Sequence, residues 1–277
     1  MKNFTEHKID HDFSNTRIDR WFRQYFEGLS HNNLEKYLRK GFIRVNEKKI
    51  RSSYRLNKGD IIKTSVFINN FLSNDRKIKK IYGSEDFIKK NTLHIDNDLL
   101  VINKPFNLAV QGGTGIKRNL DDLLVSAFSG KKITPRLVHR LDKETSGVML
   151  IALNRKMASH LSNLFKTKNV QKTYWAITEG EPEKTTGEIN INITDDEKRQ
   201  RQKSLTKYNK VLKINDNISW IAFRPITGRT HQIRKHASMS NFPIVGDKKY
   251  GNKNNKIIKF NKLHLHSHSV DFKGLNG

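Results

Sequence analysis

The chain has 277 residues, and 53 Lys or Arg against 27 Asp or Glu give it a formal net charge of +26. This length allows one large domain and a small one, and the 35% hydrophobic content favours a folded protein over a disordered one. The absence of cysteine excludes disulfides, thiolate catalysis and cysteine-ligated zinc.

The first predicted element is an amphipathic helix that begins near Asn15. Thr16, with Asp19 three residues later, is typical of a capping box at a helix start. Apolar residues then recur with helical spacing, and they are Ile18, Trp21, Phe22, Tyr25 and Phe26. A second helix is predicted over 32–40, ending at Gly41, and short strands are predicted over 43–45 and 60–68.

The segment 69–91 is polar and charged and has no sustained periodicity, so we interpret it as a linker. The domain that follows alternates short apolar runs with amphipathic stretches, which predicts a mixed sheet with helices. The predicted strands are 99–103, 148–153, 174–178 and 218–223, and the predicted helices are 122–128 and 155–168.

A carboxylate and an arginine lie directly before the apolar run 148–153, in the string VHRLDKETSG at 138–147. Asp142 is therefore carried by a loop at the end of a predicted core strand. A side chain held in this way suits a nucleophile better than a solvated charge does. A charged turn that only leads into a strand is the alternative.

Two further motifs supply an aromatic ring and two guanidinium groups. The string QKTY at 171–174 opens a strand with Tyr174, whose ring can stack on a base, although core packing is the alternative. The string PITGRTHQIRKH at 225–236 predicts a helix capped by Thr230, with Arg229 in the preceding loop and Arg234 in the first turn. A guanidinium beside a buried carboxylate favours its charged form; a basic helix start that faces solvent is the alternative.

The strings HRLDKETSG and TGRTHQIR resemble the signatures of the RluA-type pseudouridine synthases. The resemblance to this family extends over about residues 14–273. The strings RID at 17–19 and LRKGFIRVN at 38–46 resemble an S4-type RNA-binding domain. This resemblance implies an α+β protein, in which a small S4-type α/β RNA-binding domain precedes a mixed-sheet pseudouridine synthase catalytic domain. The expected ranges are 14–68 for the S4-type domain, 69–91 for the linker and 92–277 for the catalytic domain.

The resemblance implies a reaction that breaks the N1–C1′ bond of a uridine, turns the base and joins C5 to C1′, without cofactor or metal. It makes Asp142 the nucleophile. Addition to C1′, addition to C6 and proton abstraction to a glycal all stay open. His139 is expected to pack beside the cleft and not to act as a base.

The resemblance also implies roles for the other motif residues. Tyr174 is an active-site residue, and Arg234 is the ion-pair partner of Asp142. Arg140 is expected to fill the space that a flipped base leaves, which a planar guanidinium can do. Arg229 is expected to support the site or to contact RNA.

Basic residues of the first domain are expected to face RNA phosphates, although a solvated basic hairpin is the alternative. They are Arg17, Arg20, Arg39, Lys40 and Arg44. Such contacts position an enzyme on RNA without specifying bases. Because the positive charge is spread along the whole chain, we expect a folded polyanion as partner; a general basic drift in composition would look similar.

Within the family the chain most resembles the RluC type, which implies 23S ribosomal RNA as the partner. Action on helix 69 of 23S RNA or on transfer RNA stays open, as does a non-catalytic RNA-binding or ribosome-assembly role. A DNA-binding protein is a third possibility. No apolar stretch reaches membrane-spanning length and the start lacks a leader, so we expect a soluble cytoplasmic protein. We also expect a monomer.

Two other patterns are weaker. His264, His266 and His268 alternate on a predicted strand at 264–272, but same-face neighbours lie about 7 Å apart, so we expect no metal site. The glycine-rich loop at 111–115 lacks the ending of a P-loop. The chain ends soon after that strand, where relatives usually continue, so it is either naturally short or cut. If those elements are missing, we expect a bare sheet edge or a bare apolar face, and a stability lower than that of a full-length relative.

Overall fold

The structure is a computed structural model, and the residues that it describes are 4–10, 13–26, 29–71, 80–112, 115–131, 133–194, 200–252 and 261–275. The chain divides into two units, residues 1–79 and 80–277. Within the described ranges, no helix is long and apolar enough to cross a bilayer.

The first unit is built on an antiparallel sheet of three described strands, in the order β1-β3-β2. Its elements are β1 (Phe4–Lys8), α1 (Ile18–Tyr25), α2 (His31–Lys40), β2 (Ile43–Val45), β3 (Ile61–Ser65) and a 3-10 helix (Val66–Phe71). The predicted apolar stripe of α1 is confirmed, because Ile18, Trp21 and Phe22 are buried in one core with Leu34 and Leu38 of α2.

The two helices of this unit begin differently. The predicted capping box is wrong: α1 starts after Arg17 without a side-chain cap, and Asp19 instead accepts hydrogen bonds from the Arg17 guanidinium at 3.2 and 2.7 Å. In α2, the Ser30 hydroxyl accepts from the backbone N–H of Asn33. The predicted end at Gly41 is confirmed, with a left-handed φ of 72°.

The unit boundary differs from the predicted linker at 69–91. The strand β1 pairs along its length with β3, so the first unit extends to the N-terminal side of residue 14. The second unit begins at Lys80 and includes the helix α3 (Ser84–Asn91). Because Ile88 is buried with Leu100 and Leu124 in the core of this unit, residues 84–91 are not a linker.

The second unit contains a large mixed sheet, as predicted. After α3, its elements are β4 (Thr92–Ile95), β5 (Leu99–Lys104), α4 (Leu120–Ala127), β6 (Arg136–Leu137), β7 (Ser146–Ala152), α5 (Arg155–Lys166), β8 (Gln171–Glu179), β9 (Thr186–Ile189), β10 (Ile193–Thr194), β11 (Arg201–Gln202), β12 (Thr206–Asn215), β13 (Ile218–Pro225), α6 (Gln232–Met239) and β14 (Leu265–Asp271). The strand order is β4-β5-β7-β14-β8-β13-β12-β9, and β6 pairs with β7.

The strand β7 is buried on both faces, as its unbroken apolar sequence predicts. Met149 and Ile151 pack in the core that contains α3 and α4, whereas Leu150 and Ala152 pack against Met157 of α5. A strand covered by helices on both sides is a rigid support for the loop that precedes it.

The strand β14 is last in the chain but lies between β7 and β8, parallel to β7 and antiparallel to β8. It passes so close to Gly147 that a Cβ atom there would overlap the backbone of Ser267. Gly147 also has a φ of +113°, which favours glycine. This close approach brings the Asp142 loop, before β7, near to Tyr174 on β8.

Candidate active site

The three motifs of the second unit converge on one cleft of about 190 Å³. Asp142, Tyr174 and Arg234 all line it, as do Arg140 and Arg229. The predicted site residues of this domain are therefore brought together. The side chain of Asp142 is 25% exposed, so its carboxylate is accessible from the cleft but mostly shielded from solvent.

His139 supports the Asp142 loop as a neutral side chain. Its Nε2 atom accepts a hydrogen bond from the backbone N–H of Leu150 at 2.9 Å, and its ring stacks on Phe165. Burial, with a smaller contribution from the charge of Lys172, lowers the pKa of His139 to about 3. A ring that is already engaged with a backbone N–H is a structural support, in keeping with the expected packing role.

The loop before α6 is held by Gln232, which is buried. Its amide oxygen accepts from the Thr227 hydroxyl and the Arg229 N–H, and its amide nitrogen donates to Leu205 and Thr206. The predicted Thr230 cap is wrong, because His231 is the N-cap residue and has no side-chain cap. The turn is instead fixed by Gln232, two positions further along.

The predicted ion pair between Arg234 and Asp142 is replaced by a pair with Asp247. The Nε and Nη2 atoms of Arg234 each donate to a carboxylate oxygen of Asp247 at 2.7 Å, and Nη2 also donates to Glu144 at 3.2 Å. Burial alone would raise the pKa of Asp247. The hydrogen bonds from Arg234 and from the N–H groups of Tyr250 and Lys249 outweigh this effect, so the pKa lies below its usual value and the carboxyl stays ionised.

Asp142 nevertheless lies in a positive environment. The negative charge of Asp142 interacts favourably with the positive charges of Arg234 and Lys104. The Nε2 atom of His231 lies 3.8 Å from Oδ1 of Asp142, while its Nδ1 atom is 3.0 Å from the hydroxyl of Tyr250. Arg234 and Lys104 therefore share the electrostatic role that was predicted for Arg234 alone, whereas burial lowers the pKa of His231.

Lys104 joins two loops behind the cleft. It is fully buried, and its ammonium group donates to the carbonyls of Pro105, Leu108 and Lys143 at 2.8 to 3.2 Å. Burial lowers its pKa to about 8, and the charge of Asp142 opposes this shift. Through Lys143, Lys104 fixes the backbone next to Asp142.

Tyr174 is a neutral phenol in this site. Burial, and then the negative charge of Asp142, raise its pKa to about 12, and a hydrogen bond with Ser267 opposes the shift. At neutral pH the hydroxyl therefore keeps its proton, so the ring can stack and the hydroxyl can donate. A phenol with this pKa is a weak base.

Arg140 and Arg229 are both exposed and lie on the rim of the cleft. The Nε atom of Arg229 donates to the carbonyl of Lys203 at 3.3 Å. Exposed guanidinium groups at the mouth of a cleft are accessible to an RNA strand, in contrast to Arg234, whose side chain is 4% exposed.

The basic residues predicted for the first unit are of two kinds. Arg20, Arg39 and Lys40 are exposed. Arg17 is paired with Asp19, and the Nε atom of Arg44 donates to the carbonyl of Gly41. Only the first three present a cation that is not already engaged within the described part of this unit.

The three alternating histidines, His264 directly before β14 and His266 and His268 within it, have separate partners. His264 contacts the carbonyl of Val245, His266 bonds to the hydroxyl of Ser146 at 2.9 Å, and His268 stacks on Trp175 with ring centroids 3.4 Å apart. Where residues are described, no three His, Cys, Asp or Glu side chains are grouped to hold a metal ion. The glycine-rich loop at 111–115 lies partly outside the described residues, because 113 and 114 are not covered.

Several side chains of the site were not predicted as functional. Lys172 lies inside the QKTY string and His231 inside the TGRTHQIR string. Because each is two residues from a predicted site residue, Tyr174 or Arg229, the sequence could have indicated that both lie in the site. Lys104 precedes the proline that ends β5, and Asp247 lies in a loop with no secondary-structure periodicity. Their roles depend on tertiary contacts.

Comparison with known proteins agrees with this geometry. The family described as RNA pseudouridylate synthase matches residues 98–239, a range that contains Asp142, Tyr174 and Arg234. The chain belongs to this family of RNA-modifying enzymes, and the predicted resemblance is confirmed.

Relatives match over most of the chain. It is 36% identical over 270 residues to the ribosomal large subunit pseudouridine synthase C of Rickettsia conorii, covering 92% of this chain and 88% of that protein. It is 32% identical over 279 residues to the protein of the same name from Vibrio vulnificus, covering 95% and 87%. The solved structure of human RNA pseudouridylate synthase domain containing 4 is similar with a TM-score of 0.61 and 31% identity, covering 70% of this chain and 90% of that one.

Proposed function

We propose that this protein converts specific uridines of 23S ribosomal RNA into pseudouridine, with Asp142 as the catalytic carboxylate. The observation that carries the proposal is the position of Asp142, which lies mostly shielded in a cleft between Tyr174 and a set of cations. Relatives that match over most of this chain are named as large ribosomal subunit enzymes, which supports ribosomal RNA as the substrate.

Asp142 supplies the nucleophilic carboxylate that the isomerisation requires. The positive charges of Arg234 and Lys104 stabilise its ionised form, and they are held in place by Asp247 and by backbone carbonyls. Because these cations are fixed before substrate binds, they need no reorganisation during the reaction.

Tyr174 positions the base. Its ring lies on the wall of the cleft, where a flipped uracil can stack on it, and its neutral hydroxyl can donate a hydrogen bond. Arg140, exposed on the rim, is suited to fill the gap that the base leaves in the RNA. Arg229 on the same rim contacts the RNA strand.

The first unit serves as an S4-type RNA-binding domain in this proposal. The string LRKGFIRVN folds as the end of α2, a turn at Gly41 and the strand β2. Arg20, Arg39 and Lys40 are its exposed cations and can contact phosphates without reading bases.

The test is to map pseudouridines in 23S RNA, by carbodiimide or mass methods, from cells with and without the gene. We expect specific positions to lose pseudouridine in the deletion strain. Wild-type protein should restore them, whereas Asp142→Ala should not, although it should still bind RNA.

The competing role is non-catalytic RNA binding or ribosome assembly. It requires Asp142→Asn to complement the deletion fully and requires every pseudouridine to persist without the gene. Loss of pseudouridine from transfer RNA alone would change the substrate but not the reaction.

A further inference from the structure

A second groove, of about 350 Å³, adjoins the catalytic cleft. Arg140, Lys166, Lys168 and Lys172 contribute to its walls, and we call it the basic groove. Its described lining residues include no Asp or Glu. A concave surface with four cations and no lining acid attracts an anion.

The basic groove is continuous with the cleft. Arg140, Lys172 and Tyr174 line both, as does the turn at 227–228. A nucleotide whose base lies against Tyr174 must place its sugar and phosphate just outside the cleft. The shared wall is where that backbone would leave the site.

Lys172 differs from Lys104, the fully buried lysine near the cleft. Lys104 donates its protons to three backbone carbonyls. Lys172 is half-buried, and burial alone lowers its pKa, with no carboxylate among the described residues opposing the shift. Its ammonium group points towards Gly228, 3.9 Å from where a Cβ atom of that residue would lie. A shielded cation without an anionic partner is stabilised when an anion binds beside it.

We propose that the basic groove binds the RNA phosphate adjacent to the everted uridine, with Lys172 as its principal contact. Lys166 and Lys168 are exposed and also line the groove, so they can contact further phosphates of the RNA strand. The inference rests on the proposed function, because it assumes that the cleft receives a uridine of RNA.

The test measures RNA affinity as a function of salt for the full chain, using a 23S RNA fragment and a hairpin of unrelated sequence. Each phosphate contact contributes about 0.7 to 1 to the slope of log K against log salt. We expect Lys172→Gln to reduce the slope by about this amount for the 23S fragment and by less for the unrelated hairpin, which offers no target uridine to the cleft, and we expect Lys172→Arg to keep the wild-type slope. Lys168→Gln, at an exposed position, should also reduce it without disturbing the fold.

Lys156→Gln is the matched control, because Lys156 is exposed on α5 but lies outside the lining of the groove. Slopes for Lys172→Gln and Lys168→Gln that equal those of wild type or of Lys156→Gln would overturn the proposal. The readout needs no turnover. A wild-type protein that forms no pseudouridine would therefore count against the proposed function, while the salt slopes would still decide the role of the groove.

Discussion

Arg234 and Asp247 form a bidentate ion pair, with both nitrogen–oxygen distances at 2.7 Å and both side chains almost completely buried. Arg234 lines the cleft, and its partner Asp247 is held in turn by the backbone N–H groups of Lys249 and Tyr250. The guanidinium that acts electrostatically on Asp142 is therefore oriented by a different carboxylate. Asp142 is left available for substrate.

This arrangement predicts that Asp247 and Asp142 differ in what they stabilise. Breaking a buried ion pair leaves an uncompensated charge, so Asp247→Ala should lower the free energy of unfolding by roughly 3–5 kcal/mol. Asp142→Ala should change it by less than about 1 kcal/mol, because that side chain is partly exposed. Urea denaturation of both variants measures the difference, and equal losses would contradict it.

The parts of the molecule that could be predicted from sequence are those with strong local patterns. The stripe of α1 and the apolar run of β7 specify their own structure, because the helical spacing of the first matches a helix buried on one side and the unbroken run of the second matches a strand buried on both faces. The helix α3 was not predicted, since its eight residues contain only Phe87 and Ile88 as apolar side chains. Similarly, the strand β1 alternates too few apolar residues to be distinguished from a loop.

The candidate site could be predicted from the sequence only in part. The motifs placed Asp142 and Tyr174 in one cleft, but not the partner of Arg234. Asp247 is thirteen residues further along the chain, and only the tertiary fold brings it to Arg234. The role of Lys104 could not be predicted either, because its partners are backbone carbonyls, which no sequence pattern identifies.

His231 and Tyr250 should act together on the orientation of Asp142. If the Tyr250 hydroxyl donates to Nδ1 of His231, the imidazole carries its proton on Nε2, which faces Asp142 at 3.8 Å. Tyr250→Phe removes one hydrogen bond, so we expect kcat to fall by up to about tenfold. The Kd for RNA should stay the same.

Tyr208→Phe is the control for this prediction, because the Tyr208 hydroxyl lies against Gly187, outside the cleft. Single-turnover pseudouridine formation and RNA binding, measured on both variants, separate the two effects. The positioning role is refuted if the two substitutions reduce kcat equally.

His139 should make folding sensitive to acid. Its pKa is about 3 in the folded protein, whereas an unfolded histidine has a pKa near 6.5. Below pH 6.5 the unfolded chain takes up a proton that the folded chain does not, so stability falls as the pH decreases. This group alone should cost about 2 kcal/mol between pH 7 and pH 5.

The measurement is the free energy of unfolding at both pH values for wild type and for His139→Gln. The variant should be less stable at pH 7, because it loses the stacking on Phe165, but it should lose less stability on acidification. Subtracting the two pH dependences removes the contribution of the other histidines. Identical dependences would show that His139 is not buried as a neutral ring.

The role of Tyr174 can be divided between its ring and its hydroxyl. Because its pKa is about 12, the hydroxyl stays protonated through the range in which the enzyme can be assayed, and kcat should show no alkaline change due to this residue below about pH 10. Tyr174→Phe keeps the stacking surface and should lower kcat while leaving the Kd for RNA close to wild type. Tyr174→Leu removes the aromatic face and should weaken both. Parallel measurements of kcat and Kd on the two variants test this division, and a Phe variant with full kcat would mean that the ring alone is required.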